Sequence, residues 1–292
     1  MLISPHWQDY ELIDSGDGMK LERFGQYRFV RPEVQCLWRK SLPASEWQNV
    51  HAVFQPTGEE SGGHWDFKKK VPQDGWTMRY GDLRFRAEAT PGRHLGVFPE
   101  TAAHWDWISN RITISRRPIR VLNLFGYTGI ASLAAAHAGA SVTHVDASKK
   151  SVTWARENQH VSNLDDKTIR WIVDDALKFV QREARRGSQY EGIILDPPKF
   201  GRGPKGEVWE IYKSLPILLE ACRSVLSDDP LFVVMTVYAV RASALHIGYA
   251  LAEMTRSFNG TTDQGELITK ESSAGHLLSQ AVYARWSTQS SS

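Results

Sequence analysis

The sequence predicts an α/β protein built on a doubly wound, mostly parallel sheet, with a small β-rich module ahead of it. Three observations carry this. From Arg120 onward, short apolar runs alternate with stretches of helical spacing, as βαβ units do. The apolar run Val121, Leu122, Asn123, Leu124 passes through a glycine turn straight into an Ala- and Leu-rich helix. Residues 1–95 instead carry short alternating apolar segments between turn clusters, with no long helical pattern.

The bulk properties set the frame. A chain of 292 residues suffices for one large or two modest domains, and its 41% apolar content supports a full core. The net charge of +2 is nearly neutral, so a nucleic-acid partner has to be argued from local patches. Only two cysteines occur, Cys36 and Cys222, far apart and without CxxC spacing, so neither a disulfide framework nor a zinc cage is expected. The N-terminus turns polar by Pro5 and His6, unlike a signal peptide, and no run approaches the roughly 18 apolar residues of a membrane span. A soluble cytoplasmic protein is the expectation. Seven of the 11 tryptophans precede residue 110, which marks the first third as differently organised.

The module comes first in order. Alternating segments at 27–30, 51–54 and 83–87 are separated by turn clusters at 14–18, Gly62 with Gly63, and Asp74 with Gly75. It either binds substrate or covers the main sheet. Lys68, Lys69 and Lys70 between Trp65 and Trp76 mix basic and aromatic groups as nucleic-acid surfaces do; a solvated loop beside core tryptophans is the alternative. The turn-rich stretch 91–99 is a joint, which divides the chain into a module at 1–95 and a domain at 96–288. Residues 100–112 read as a helix, with Ala102, Trp105 and Ile108 at helical spacing.

Beyond it, strand 121–124 leads to helix 130–138, which Gly139 ends. Strand 142–146 leads to a helix that Ser148 caps. Strand 169–173 precedes helix 176–186, strand 192–195 precedes a long helix over about 207–226, and strand 231–236 precedes helix 243–256. Segments 266–269 and 281–286 read as two strands with no helix between them, and the tail 289–292 is expected to fray. Seven strands closing in a hairpin differ from the six parallel strands of dinucleotide-binding folds.

In such a sheet, ligands sit at the carboxyl ends of the strands, and four successive strands place chemistry there. Gly126 and Gly129 can adopt angles that other residues avoid and let a ligand come close, while the following helix points N–H groups at it. Asp146 follows about 20 residues later, the spacing at which a carboxylate accepts both hydroxyls of a nucleotide ribose. The two together predict an adenosine-type cofactor across Gly126. Asp175, just before helix 176–186, could accept from an adenine amine or cap that helix. Asp196, Pro197, Pro198, Lys199 and Phe200 form a pre-ordered loop whose prolines donate nothing and leave carbonyls to accept, beside an aromatic ring. A planar group bearing an amine, such as a base, suits it.

Asn123 through Gly129, Asp146 with Ala147 and Ser148, Asp175 with Ala176, and Asp196 through Phe200 together resemble class I S-adenosylmethionine-dependent methyltransferases. The branch they are most similar to holds the large-subunit ribosomal RNA methyltransferases acting on cytosine C5 or guanine N7. The resemblance covers about residues 85–287. It implies a seven-stranded Rossmann-like methyltransferase sheet with an antiparallel last strand, and S-adenosyl-L-methionine as cofactor. It further implies that Phe125, Gly126, Tyr127, Thr128 and Gly129 wrap the methionine part, that Asp146 holds the ribose and Asp175 the adenine amine, and that Asp196 and Pro197 border the transferred methyl. RNA, specifically ribosomal RNA, is the implied substrate.

Two departures from that branch shape the expected chemistry. Cytosine C5 enzymes attack C6 with a cysteine, which in the matching branch follows the fifth strand; Val237 stands about there. Cys222 lies on an apolar helix face and Cys36 in the module, so neither substitutes for it. No separate RNA-binding domain is evident either, which leaves recognition to the module and to Lys199, Arg202 and Lys205, unless that basic loop is a solvated lid. The expectation is direct in-line transfer to an already nucleophilic atom, without a metal. Asp196 orients the acceptor or takes its proton, and Tyr238 forms a pocket wall or is a buried ring. The alternatives are methylation of a protein side chain or small-molecule amine, or a catalytically silent RNA-binding protein. A nicotinamide dehydrogenase is disfavoured by the incomplete GxGxxG pattern.

Overall fold

The computed structural model describes residues 1–57 and 62–289, so all of the tail but Gln289 lies outside it. The chain separates into two compact units. One holds 3–102 and 268–279; the other holds 1–2, 103–267 and 280–292.

In the first unit, strands β2 (Tyr10–Gly16), β3 (Met19–Phe24), β4 (Tyr27–Pro32), β5 (Ala52–Pro56) and β6 (Gly63–Phe67) pair in sequence order. The strands β7 (Trp76–Tyr80) and β8 (Leu83–Ala87) form a separate hairpin, and α1 (Ala44–Gln48) is a single short turn. Of the early tryptophans, Trp7, Trp47, Trp76 and Trp105 are buried and Trp38, Trp65 and Trp107 partly buried. Trp76 stacks on Phe29 with centroids 5.6 Å apart, and the Trp65 indole donates to the Thr90 carbonyl at 2.8 Å. Lys68, Lys69 and Lys70 are exposed, with Lys68 paired to Asp66. Asp14 and Ser15, expected in a turn, are buried strand residues. The Asp14 carboxylate accepts from the Trp47 indole at 2.9 Å and from the Ser273 hydroxyl at 2.6 Å. Ser273 belongs to the tip of the C-terminal hairpin, which clusters with this unit.

The second unit carries the large sheet. Its helix α2 (Ala102–Ser115) leads into β9 (Arg120–Leu124), α3 (Ile130–His137), β10 (Ser141–Asp146), α4 (Lys149–Val161), β11 (Ile169–Val173) and α5 (Ala176–Arg185). Then follow β12 (Gly192–Leu195), the short pair β13 (Phe200–Arg202) and β14 (Val208–Glu210), α6 (Ile211–Arg223), β15 (Phe232–Val237) and α7 (Ala244–Thr255). Last come β16 (Gly260–Lys270) and β17 (Leu277–Thr288). The strand order is β1-β16-β17-β15-β12-β9-β10-β11, where β1 is only Leu2–Ile3. Strands β15, β12, β9, β10 and β11 run parallel, and β17 is antiparallel to β15.

All four residues of β12 and all six of β15 are buried, as expected where helices cover both faces. Alternate residues divide between two cores. Leu122, Leu124, Ile193, Leu195, Val233 and Met235 pack with α5, α6 and α7, while Val121, Ile194, Phe232 and Val234 pack with α2 and α3.

Two expectations need correction. The helix expected from about 207 begins at Ile211, because Val208, Trp209 and Glu210 pair with Arg202, Gly201 and Phe200. A turn with Gly206 at φ +86° closes that hairpin, and the Gly203 amide donates to the Glu207 carbonyl at 2.8 Å. The last two strands also run much further than 266–269 and 281–286, since each finds a neighbour over its length.

Candidate active site

The chain moves from β9 outward to β10 and β11, then returns to the other side of β9 with β12. The reversal opens a crevice at the carboxyl ends of β9 and β12, where α/β sheets bind ligands. Register aligns the ends: Val145 pairs with Leu124, Leu124 with Leu195, and Asp146 with Val173. Asp146 and Asp196 thus leave the sheet at one level, two strand spacings or about 10 Å apart.

The loop after β9 is strained. Phe125 has φ +58°, Tyr127 +49° and Gly129 +82°. Gly126, expected to need the unusual angles, does not; its two neighbours do. Hydrogen bonds hold the strain in place. The Gly126 amide donates to the Val145 carbonyl at 3.1 Å, Gly129 to the Gly126 carbonyl at 2.9 Å, and the Asn158 side-chain amide to the Thr128 carbonyl at 2.9 Å. Gly129 caps α3 with no side chain in the way, so the first amides of that helix face the crevice.

Asp146 is tied into the same loop. One carboxylate oxygen accepts from the Tyr127 amide at 2.9 Å and the other from the Ser148 amide at 2.8 Å. A carboxylate has about four acceptor positions, so two remain for a diol. Burial raises its pKa in spite of the two amide donors. Ser148 caps α4, accepting from the Ser151 amide at 3.2 Å, and Ala147 is the link between acid and cap. Asp175 caps α5 through one oxygen, 2.9 Å from the Lys178 amide, which leaves the second for a ligand. Ala176 is the buried first residue of that helix. Next to it, Asp174 is held by Arg182.

Across the crevice, Asp196 follows β12 and is partly buried, Pro197 is buried and Pro198 exposed. The carbonyls here are less available than the prolines suggested, because the Trp209 indole donates to the Pro198 carbonyl at 2.6 Å. The same indole packs on the Phe125 ring, centroids 4.9 Å apart, and so joins the proline loop to the glycine loop. Phe200 lies on the outer face of the β13–β14 hairpin, 56% exposed. The hairpin is anchored by Lys178 to Glu207 at 2.7 Å, which with backbone donors holds the Glu207 carboxyl down at about 2.

Sequence reasoning missed Trp209, Asn158, Ser132 and His144. Asn158 did leave a signal: it stands on the buried stripe of α4 with Trp154 and Ala155. Val237 is buried in the core, as is Cys222, whose thiol burial pushes up; burial likewise takes Cys36 to about 11. Tyr238 packs against Leu267, Ala281 and Tyr283. Among the described residues, no helix is long and apolar enough to cross a membrane.

A family model for S-adenosylmethionine-dependent methyltransferases matches residues 41–230. The chain belongs to this family. An S-adenosylmethionine-dependent methyltransferase from Agrobacterium tumefaciens is similar along its whole length, with 47% identity, 99% of this chain and 93% of that one covered, and a TM-score of 0.95. A proposed methyltransferase solved in complex with SAH shares the fold at 17% identity, covering 95% of this chain and 75% of its own, with a TM-score of 0.73. Among curated proteins, ribosomal RNA large subunit methyltransferase K/L of a Shewanella species is 32% identical over 178 residues, 57% of this chain and 23% of that protein. The Shewanella baltica counterpart is 40% identical over 177 residues with the same shares. This chain therefore spans under a quarter of the length of those relatives. S-adenosyl-L-methionine is the family's cofactor, and the crevice fits it: the open acceptor positions on Asp146 and Asp175 suit a ribose diol and an adenine amine, and the α3 amides suit a carboxylate.

Proposed function

We propose that this methyltransferase acts on RNA, at a nitrogen or another atom already nucleophilic, without a covalent enzyme adduct. The observation that carries the second half is the state of the thiols. Cys222 is 0% exposed in the core, Cys36 is buried, and Val237 occupies the strand end where a nucleophile would stand. S-adenosylmethionine supplies an electrophilic methyl when bound. Phe125 to Gly129 would hold its methionine part, Asp146 its ribose and Asp175 its adenine. Asp196, at the end of β12, orients the acceptor and takes up its proton as the new bond forms. Pro197 and Pro198 keep that carboxylate in place, and the Trp209 indole braces them. Rate enhancement comes mainly from positioning.

The RNA half is supported by the hairpin beside Asp196, where Phe200, Lys199, Arg202 and Lys205 are all exposed. An aromatic face among cations suits an unstacked base on a charged backbone. The names of the curated relatives point the same way. The test is incorporation of labelled methyl from S-adenosylmethionine into total RNA from cells lacking the enzyme, followed by nucleoside analysis. Label on one base nitrogen is the expected result; label only in protein or small molecules overturns the RNA assignment, and label at cytosine C5 overturns the mechanism.

A further inference from the structure

Of the two loop glycines, only Gly129 has a left-handed backbone; Gly126 is not at positive φ. Gly126 is nevertheless barred from carrying a side chain. An added Cβ would lie 2.3 Å from Cε1 and 2.5 Å from Nδ1 of His144, and 3.1 Å from the Asn123 amide nitrogen. What it would strike is protein packed beneath the loop. His144 is 0% exposed and cannot retreat. The Trp171 ring lies 4.7 Å from the imidazole, and the same ring stands 3.2 Å from where a Cβ at Gly129 would be. On the other side, the Ser132 hydroxyl receives the Asn123 amide proton at 2.8 Å and lies 3.0 Å from His144 Nδ1. Ser132 thus links the Asn123 amide to the imidazole, whose other nitrogen, Nε2, is buried without a hydrogen-bond partner among the described residues. Burial keeps the ring neutral, its pKa lowered to about 3, so this arrangement does not titrate at ordinary pH.

We propose that His144 is a positioning residue for the cofactor loop: its imidazole, clamped between Ser132 and Trp171, fixes where the backbone at Gly126 lies, and position 126 is glycine to admit that ring. This rests on the loop binding S-adenosylmethionine, as proposed above. The product SAH serves as probe, titrated calorimetrically into the full chain, with thermal unfolding to check each variant. Gly126→Ala overpacks the contact and should lower SAH affinity about 30-fold. Adding His144→Ser makes room for the methyl, so the double variant should return to within about 5-fold of His144→Ser alone. A double variant that falls about 30-fold below His144→Ser alone, the full loss of Gly126→Ala with no relief, overturns the proposal, because the ligand itself would then demand the glycine.

If Gly126→Ala alone does not fold, recovery of a folded, SAH-binding protein in the double variant supports the proposal, and no recovery beside a folded His144→Ser overturns it. A second pair reads the Ser132 contact. His144→Asn keeps a hydrogen-bonding partner for Ser132 and should stay within about 3-fold of wild type, while His144→Leu should lose about 10-fold. Equal affinities for these two also overturn it. Failure of the folded wild type to bind SAH would instead remove the loop assignment itself, a result that needs no variant to recognise.

Discussion

Two loops leave the same edge of the sheet, one strand apart, and they are built on opposite plans. The loop after β9 is strained and tied inward, with three left-handed residues, hydrogen bonds to itself and to β10 and α4, and a buried histidine beneath it. The segment after β12 is a hairpin projecting outward, with Phe200 56% and Val208 60% exposed. Its holds on the body include Trp209 and an ion pair at its tip. The first plan suits a ligand of one shape held the same way each time. The second suits a variable partner, since exposed side chains change without disturbing a core. Trp209 couples the two by donating to Pro198 while packing on Phe125.

Removing the acid that serves the first loop is expected to have the largest effect. Asp146→Ala deletes both the proposed ribose acceptor and the anchor for the Tyr127 amide, and SAH binding should fall beyond about 100-fold, some 3 kcal/mol or more, by calorimetry. Retained affinity would place the ribose elsewhere. Trp209→Ala should come next. It removes a buried ring and its bond to Pro198, for a loss of about 3–5 kcal/mol in denaturant unfolding, while Trp209→Phe should lose only about 1 kcal/mol. Equal losses in the two would show that the bond to Pro198, and not the packing of the ring, carries the effect.

Acid should act on the buried side of the comparison. His144 and His104 are both buried, with pKa values lowered to about 3 by desolvation. Unfolded, each titrates near 6.5, so the unfolded chain takes up protons first, and stability is full above that pH and lost as pH falls from there towards 3. At pH 5 the loss should be about 2 kcal/mol per histidine relative to pH 7.5, read from urea unfolding curves. A flat profile between those values would mean that the rings carry charge when folded. The smallest effect on stability belongs to the hairpin. Phe200→Ala should change unfolding by under about 0.5 kcal/mol and leave SAH affinity intact, while raising the KM for RNA. A change in SAH affinity instead would put Phe200 on the cofactor side.

The fold and the places of the candidate site residues were legible because they are written locally. Alternating apolar runs and helical spacing mark the βα units from β9 to α7 without knowledge of their neighbours, and Asp146, Ser148 and Asp175 stand at strand ends and helix starts that short-range patterns locate. The β13–β14 hairpin was hidden because Val208, Trp209 and Glu210 continue into a helix with no break in pattern, and their pairing depends on residues 200–202 folding back. Phe125 and Tyr127 gave no sign of their left-handed backbone, which the bonds to Asp146 and from Asn158 impose from β10 and α4.

By itself, then, the sequence determined the sheet, its order of strands and helices, and the acids that face the crevice, since period, caps and turns act over a few residues. Tertiary structure alone decided what stands behind those acids. Asn123, Ser132 and His144 stand on three successive elements and meet only when α3 packs on β9 and β10. The glycine at 126 illustrates the division: the turn announces it, but the reason it carries no side chain is an imidazole 18 residues away, brought beneath it by strand pairing.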